Sequence, residues 1–188
     1  MRRKDDEKQK RIKQAVMETI LQEGFAGASI SKIAKRAGVS PATVYIYYDN
    51  KDTMLRDIYL EYSEDTYVYL SQCIESDMSA ADLISTLMTS YYHFIEENQE
   101  VFSFVEQFAQ CPALVCECSG ERDMCGLFQA IEKKKEQGEI RDYSDGSIAS
   151  VLFAPVKAVA SENHISEEDR RKQLAEVIEL IERALILQ

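Results

Sequence analysis

Between residues 29 and 48 the chain spaces small, turn-forming and helix-starting residues so tightly that one local arrangement suits them all. Ala34 is small where a first helix must let a second come close. Gly38, four residues on, supplies a turn conformation that a side chain disfavours. Ser40 followed by Pro41 starts a new helix: the hydroxyl accepts from an unpaired amide, and proline fits the first helical position because its missing N–H costs nothing there. Ile30, Ile33, Val39 and Val44 fill the space between the two segments. The expectation is a helix-turn-helix, with short helices at about 29–36 and 41–47.

The rest of the chain reads as helix too. Only three prolines and seven glycines interrupt 188 residues, and no stretch alternates at the period of a strand. Ile12, Ala15, Val16, Thr19 and Ile20 form one apolar stripe that should end before Gly24. A long helix should start at Asn50, whose side chain can cap free amides, and run to about Cys73. Further helices are expected at about 80–97, 100–110, 121–137, 145–163 and 167–187. In the last, Leu174, Val177, Ile178, Ile181 and Leu185 share a face. Pro155 should kink or break the one before it, since it removes a backbone bond and crowds the preceding turn. The fold class is therefore all-α, with about nine helices.

The net charge of −11 argues against nucleic acid until its distribution is considered. Residues 1–51 hold eleven Lys/Arg and six Asp/Glu, a net of +5, which leaves −16 on the remainder. One end suits phosphate and the body repels it. A helix-turn-helix reads base edges from the start of its second helix, which here presents Pro41, Ala42, Thr43 and Tyr45. The charged first thirteen residues do not suit a secretory signal. The longest apolar region, 148–160, contains Ser150, Pro155 and Lys157 and does not suit a membrane span. A cytoplasmic, DNA-binding protein without a membrane partner is expected.

The motif can be followed residue by residue. The run from Gly24 to Ile30, then Ile33-Ala34, Ala37-Gly38-Val39-Ser40, Thr43-Val44-Tyr45-Ile46-Tyr47-Tyr48 and Asn50-Lys51-Asp52-Thr53-Met54-Leu55, resembles the DNA-binding domain of the tetracycline-repressor (TetR) family. The resemblance covers about residues 8–56, with Tyr48 where the family usually has Phe and Ala28 where Thr is common. It implies a DNA-binding domain over 1–51 and a helical effector-binding and dimerisation domain over 52–188. It also implies that Ser29 binds a phosphate, that Ser40 opens the reading helix, that Thr43 and Tyr45 face the major groove, that Tyr47 reaches the backbone, and that Lys51 clamps a further phosphate. Tyr45, Tyr47 and Tyr48 also suit plain packing, Tyr48 more than Tyr47, and Lys32, Lys35 and Arg36 equally suit a solvated face.

The same resemblance implies a homodimer on a palindromic operator, acting as a repressor released by a small-molecule effector. The last two helices are its natural interface, through Val151, Leu152, Val159, Ile178, Ile181 and Leu185, although such residues can also bury inside one chain. An effector pocket would lie between Asp52 and Gln137, with Tyr62, Tyr91, His93, Phe104, Glu106, Phe108 and Phe128 as candidates. Aromatic residues at helical spacing also form ordinary core.

Cysteines 111, 116, 118 and 125 invite an alternative, a thiol- or metal-responsive sensor. Their spacing fits none of the usual zinc patterns, and buried cysteine is common in cores. No metal or cofactor is expected. With two histidines, no His-Glu-x-x-His, no Gly-x-Ser-x-Gly and no phosphate-binding glycine loop, no enzyme is expected either.

Overall fold

The computed structural model describes residues 2–109 and 125–187, with side chains described from residue 6 and, in the second span, from residue 126. The described residues form nine helices: α1 (Arg2–Gly27), α2 (Ile30–Ala37), α3 (Pro41–Tyr47), α4 (Lys51–Gln72), α5 (Ala80–Glu97), α6 (Gln99–Ala109), α7 (Cys125–Glu136), α8 (Asp145–Ala160) and α9 (Glu167–Leu185). Extended pairing among them amounts to one antiparallel bridge, Ile140 with Ile186. Five of the helices begin the same way. Ser29, Ser40, Ser79, Ser144 and Ser166 each accept, through the side-chain oxygen, the amide N–H three residues on. Asn50 does the same for Thr53 at α4. Such a cap satisfies a donor the helix cannot pair itself and stabilises it by about 1 kcal/mol.

The chain divides into two compact units, and α4 passes from the first to the second after Ser63. The first unit holds α1, α2, α3, the start of α4, and α6. The α1 stripe faces its core, with Ile12, Ala15, Val16, Thr19 and Ile20 all buried. Gly24, at φ 68° and ψ 176°, breaks the helical path where the sequence suggests, and one further turn carries α1 to Gly27. Ile33, Ala34, Val44, Met54, Leu55, Ile58 and Tyr59 complete the shared core.

Phe104 and Phe108 of α6 belong to this core and are fully buried. Phe108 stacks on Tyr59 with centroids 4.1 Å apart and meets the edge of Phe25 at 5.7 Å, while Tyr62 lies edge-on to Phe104 at 5.8 Å. Phe104 and Phe108, expected as pocket candidates, are thus part of the core of the first unit. At four-residue spacing both rings point to one side of α6, and that side supports the helix-turn-helix.

The second unit is built on α5, whose Leu83, Ile84, Leu87, Met88, Tyr91, Tyr92, Phe94 and Ile95 are buried, with α8 and α9 packed against it. Arg170 of α9 donates to the Tyr92 hydroxyl at 3.3 Å, and that hydroxyl donates to Glu96 at 2.8 Å. Burial raises the Tyr92 phenol above its ordinary pKa. Glu139 accepts from the amide of Ala80 and from Lys134, and the lysine bond holds its carboxyl below the usual range.

Leu152, Val159, Ile181 and Leu185, expected at a dimer interface, are 1–6% exposed within the single chain, where α5, α8 and α9 pack on one another. Pro155 does not break α8, which stays helical from Asp145 to Ala160. The bond it removes belongs to the carbonyl of Val151, on an exposed turn where water can take its place.

The core of the first unit gives a direct test. Phe108→Ala should lower the unfolding free energy in a urea titration by about 3–5 kcal/mol, whereas Val68→Ala, at an exposed position, should change it by less than about 0.5 kcal/mol. Equal effects would contradict the burial assigned to α6.

Candidate nucleic-acid interface

The turn between α2 and α3 sets the geometry. Gly38 takes the left-handed conformation, φ 65° and ψ 37°. Its N–H donates to the Lys35 carbonyl at 3.2 Å, and the Val39 N–H reaches back to the Ala34 carbonyl at 2.9 Å. This pair of bonds closes a helix end around a glycine and lets the chain reverse within two residues. Pro41 then occupies the first position of α3, and Val44 turns fully inward beside Ala34 in the core.

With Val44 inward, α3 has a defined outer face. Pro41, Ala42, Tyr45 and Ile46 are exposed, Tyr45 at 56% and Ile46 at 77%. Thr43 is half-buried, its hydroxyl 2.9 Å from that of Ser40. Tyr47 is half-buried against the core and Tyr48 is buried, which gives Tyr48 the packing role. Ile46 was not evident as a candidate in the sequence. Its three- and four-residue spacing from Thr43 and Ala42 was the available signal.

Around this face the polar groups divide their duties. Ser29 is exposed and caps α2, and its hydroxyl proton can still be donated. Lys51, at the start of α4, donates to the Phe25 carbonyl at 2.8 Å. One of its three N–H bonds therefore ties α4 to the end of α1, and two remain. Lys32 bonds the Gly27 carbonyl at 3.0 Å and Glu23 at 2.5 Å, and the bond holds the Glu23 carboxyl below its ordinary pKa. Arg36 donates to Thr19 at 3.1 Å and Gln22 at 2.7 Å. Lys32 and Arg36 are therefore braces between α2 and α1, a role the sequence left open. Lys35 is exposed.

The remaining candidates scatter. Tyr62 and the half-buried Glu106 lie in the first unit, with Phe104 and Phe108; Tyr91, His93 and Phe128 lie in the second. Tyr91 packs edge-on to Phe153 at 5.2 Å. His93 is exposed, 3.9 Å from Glu96, and lines an open recess with Thr89, Tyr92, Arg171, Leu174 and Ile178. Among the proposed interface residues Val151 is exposed and Ile178 half-buried. Among the described residues no three His, Cys, Asp or Glu side chains gather closely enough to hold a metal ion, and no helix is long and apolar enough to cross a membrane. Cys111, Cys116 and Cys118 lie outside the described residues, as does the side chain of Cys125.

Comparison with known proteins bears on the same region. Residues 12–58 match the sequence pattern of the bacterial regulatory proteins, tetR family. The fatty acid metabolism regulator protein of Bacillus subtilis is 28% identical over 93 residues, covering 47% of this chain and 48% of that protein, so the chain matches about half of that relative's length. An uncharacterized HTH-type transcriptional regulator of Haemophilus influenzae is 21% identical over 168 residues, 87% of each chain. The crystal structure of a TetR-family transcriptional regulator from Haemophilus influenzae shares the fold over 100% of both chains, with a TM-score of 0.83 at 21% identity.

The Lys51 geometry yields two readouts from one substitution. Lys51→Ala should lower the unfolding free energy by about 1–2 kcal/mol, because the half-buried Phe25 carbonyl loses a charged donor. It should also weaken binding to duplex DNA of any sequence and reduce the slope of log affinity against log salt by about one. An unchanged salt slope would remove the phosphate role, and unchanged stability would remove the brace.

Proposed function

We propose that the chain, whose residues 12–58 match the pattern of the bacterial regulatory proteins, tetR family, is a DNA-binding regulator of transcription: a repressor that binds a palindromic operator as a homodimer and is released by a small-molecule effector. The observation that carries this reading is the outward face of α3, held against the core by the buried Val44. Ser29, Ser40 and Lys51 supply hydroxyl and ammonium donors to phosphates, and Thr43, Tyr45 and Tyr47 lie on or beside the reading helix. The charge pattern supports the reading, since the net +5 of residues 1–51 suits phosphate and the net −16 of the remainder repels it.

A two-fold dimer matches two half-sites and doubles the phosphate contacts. The face we assign to it is what α8 and α9 leave uncovered: Val151, Ala154 and Ala158 on α8, with Leu180 and Ala184 on α9. Leu180 is 65% exposed and Val151 40%. Small residues on α8 let a second helix approach closely, and Leu180 supplies the apolar anchor. The effector acts by favouring a domain arrangement whose reading helices miss the groove spacing. The name of the Bacillus subtilis relative makes fatty-acid-derived compounds the first to screen.

Sedimentation at micromolar concentration should give a dimer for the native chain and a monomer for Leu180→Glu. The variant should lose at least tenfold in affinity for a palindromic duplex while both proteins bind a single half-site alike. A native monomer, or a dimer that survives Leu180→Glu, would contradict the assigned face.

A further inference from the structure

Resting on the DNA-binding reading above, we infer that α3 reads its half-site through the methyl groups of thymines, with Ile46 as a specificity-determining residue. The helix, Pro-Ala-Thr-Val-Tyr-Ile-Tyr, carries no Arg, Lys, Asn, Gln, Asp or Glu. In the major groove guanine is selected by paired donors from Arg or Lys, adenine by the amide of Asn or Gln, and cytosine by a carboxylate acceptor. None of these groups is available on α3. Thymine alone offers a methyl group at that edge, and an apolar contact is what selects it.

The outer face of α3 suits such a contact. Ala42, Tyr45 and Ile46 stand three and four residues apart on one side of the helix. Ile46, at 77%, is the most exposed large hydrophobic side chain among the described residues. Thr43 is turned toward Ser40, which leaves the Tyr45 hydroxyl as the outer face's own polar group. A single hydroxyl can both donate and accept, so it bonds to any base and discriminates weakly. The apolar face lies within the +5 segment, and the surrounding charge selects a polyanion as the partner that covers it. Seven residues of helix span about 10 Å, room for roughly three base pairs. Each half-site should therefore present one to three thymines to this face.

The test starts from duplexes that the full-length protein selects out of a random pool. Thymines of the bound half-site are replaced one at a time by uracil, which removes the methyl and leaves every hydrogen-bonding group in place. Affinity at fixed salt should fall about fourfold at one to three positions, the equilibrium equivalent of about 0.8 kcal/mol for burying one carbon. Ile46→Ala, checked for unchanged thermal unfolding, should bind the thymine and uracil duplexes alike at one or more of those positions. Indifference of the native protein to every uracil, or undiminished discrimination by Ile46→Ala, overturns this inference and leaves DNA binding standing. Recovery of no duplex from the pool overturns both.

Discussion

The reversal at Gly38 is the constraint on which the helix-turn-helix depends. A left-handed residue there lets the Val39 amide reach the Ala34 carbonyl, and only then can Val44 drop into the same core as Ala34. A β-carbon at Gly38 would meet nothing closer than Arg11, at 3.7 Å, so the requirement comes from the backbone and not from lack of space. Once Val44 is inward, helical geometry turns Ala42, Tyr45 and Ile46 outward. The outward face of α3 is thus a consequence of the turn.

That turn stands on an aromatic support. Phe25, Tyr59 and Phe108 come from three different helices and share one contact, with Phe104 and Tyr62 beside it. Lys32, Arg36 and Lys51 add bonds from α2 and α4 to α1. Three of the four cations in 32–51 are therefore structural as well as electropositive. They raise the local potential for phosphate and hold the helices that carry the proposed contact residues.

What the sequence made legible follows from the range of each interaction. Ser40-Pro41, Gly38 and Asn50 announced local events, and α3 and α4 begin where those residues say. Periodicity likewise identified the inward stripe of α1. It could not say which partner covers an apolar face. Phe108 and Leu152 both looked available for a ligand or a second chain, and each is buried by an element distant in sequence. The Lys51 bond to Phe25 spans 26 residues and left no local trace. The exposure of Ile46 is not legible in the sequence, because exposure on a seven-residue helix depends on where the helix before it packs.

The account can be tested most directly by amide hydrogen exchange on the full-length protein, with and without a selected operator duplex. Slowed exchange at the Ser29 cap, across residues 40–48 and at the start of α4, with the buried stripe of α1 unchanged, is the expected result. Protection confined to the acidic second unit, with α3 exchanging as fast as in the free protein, would contradict it.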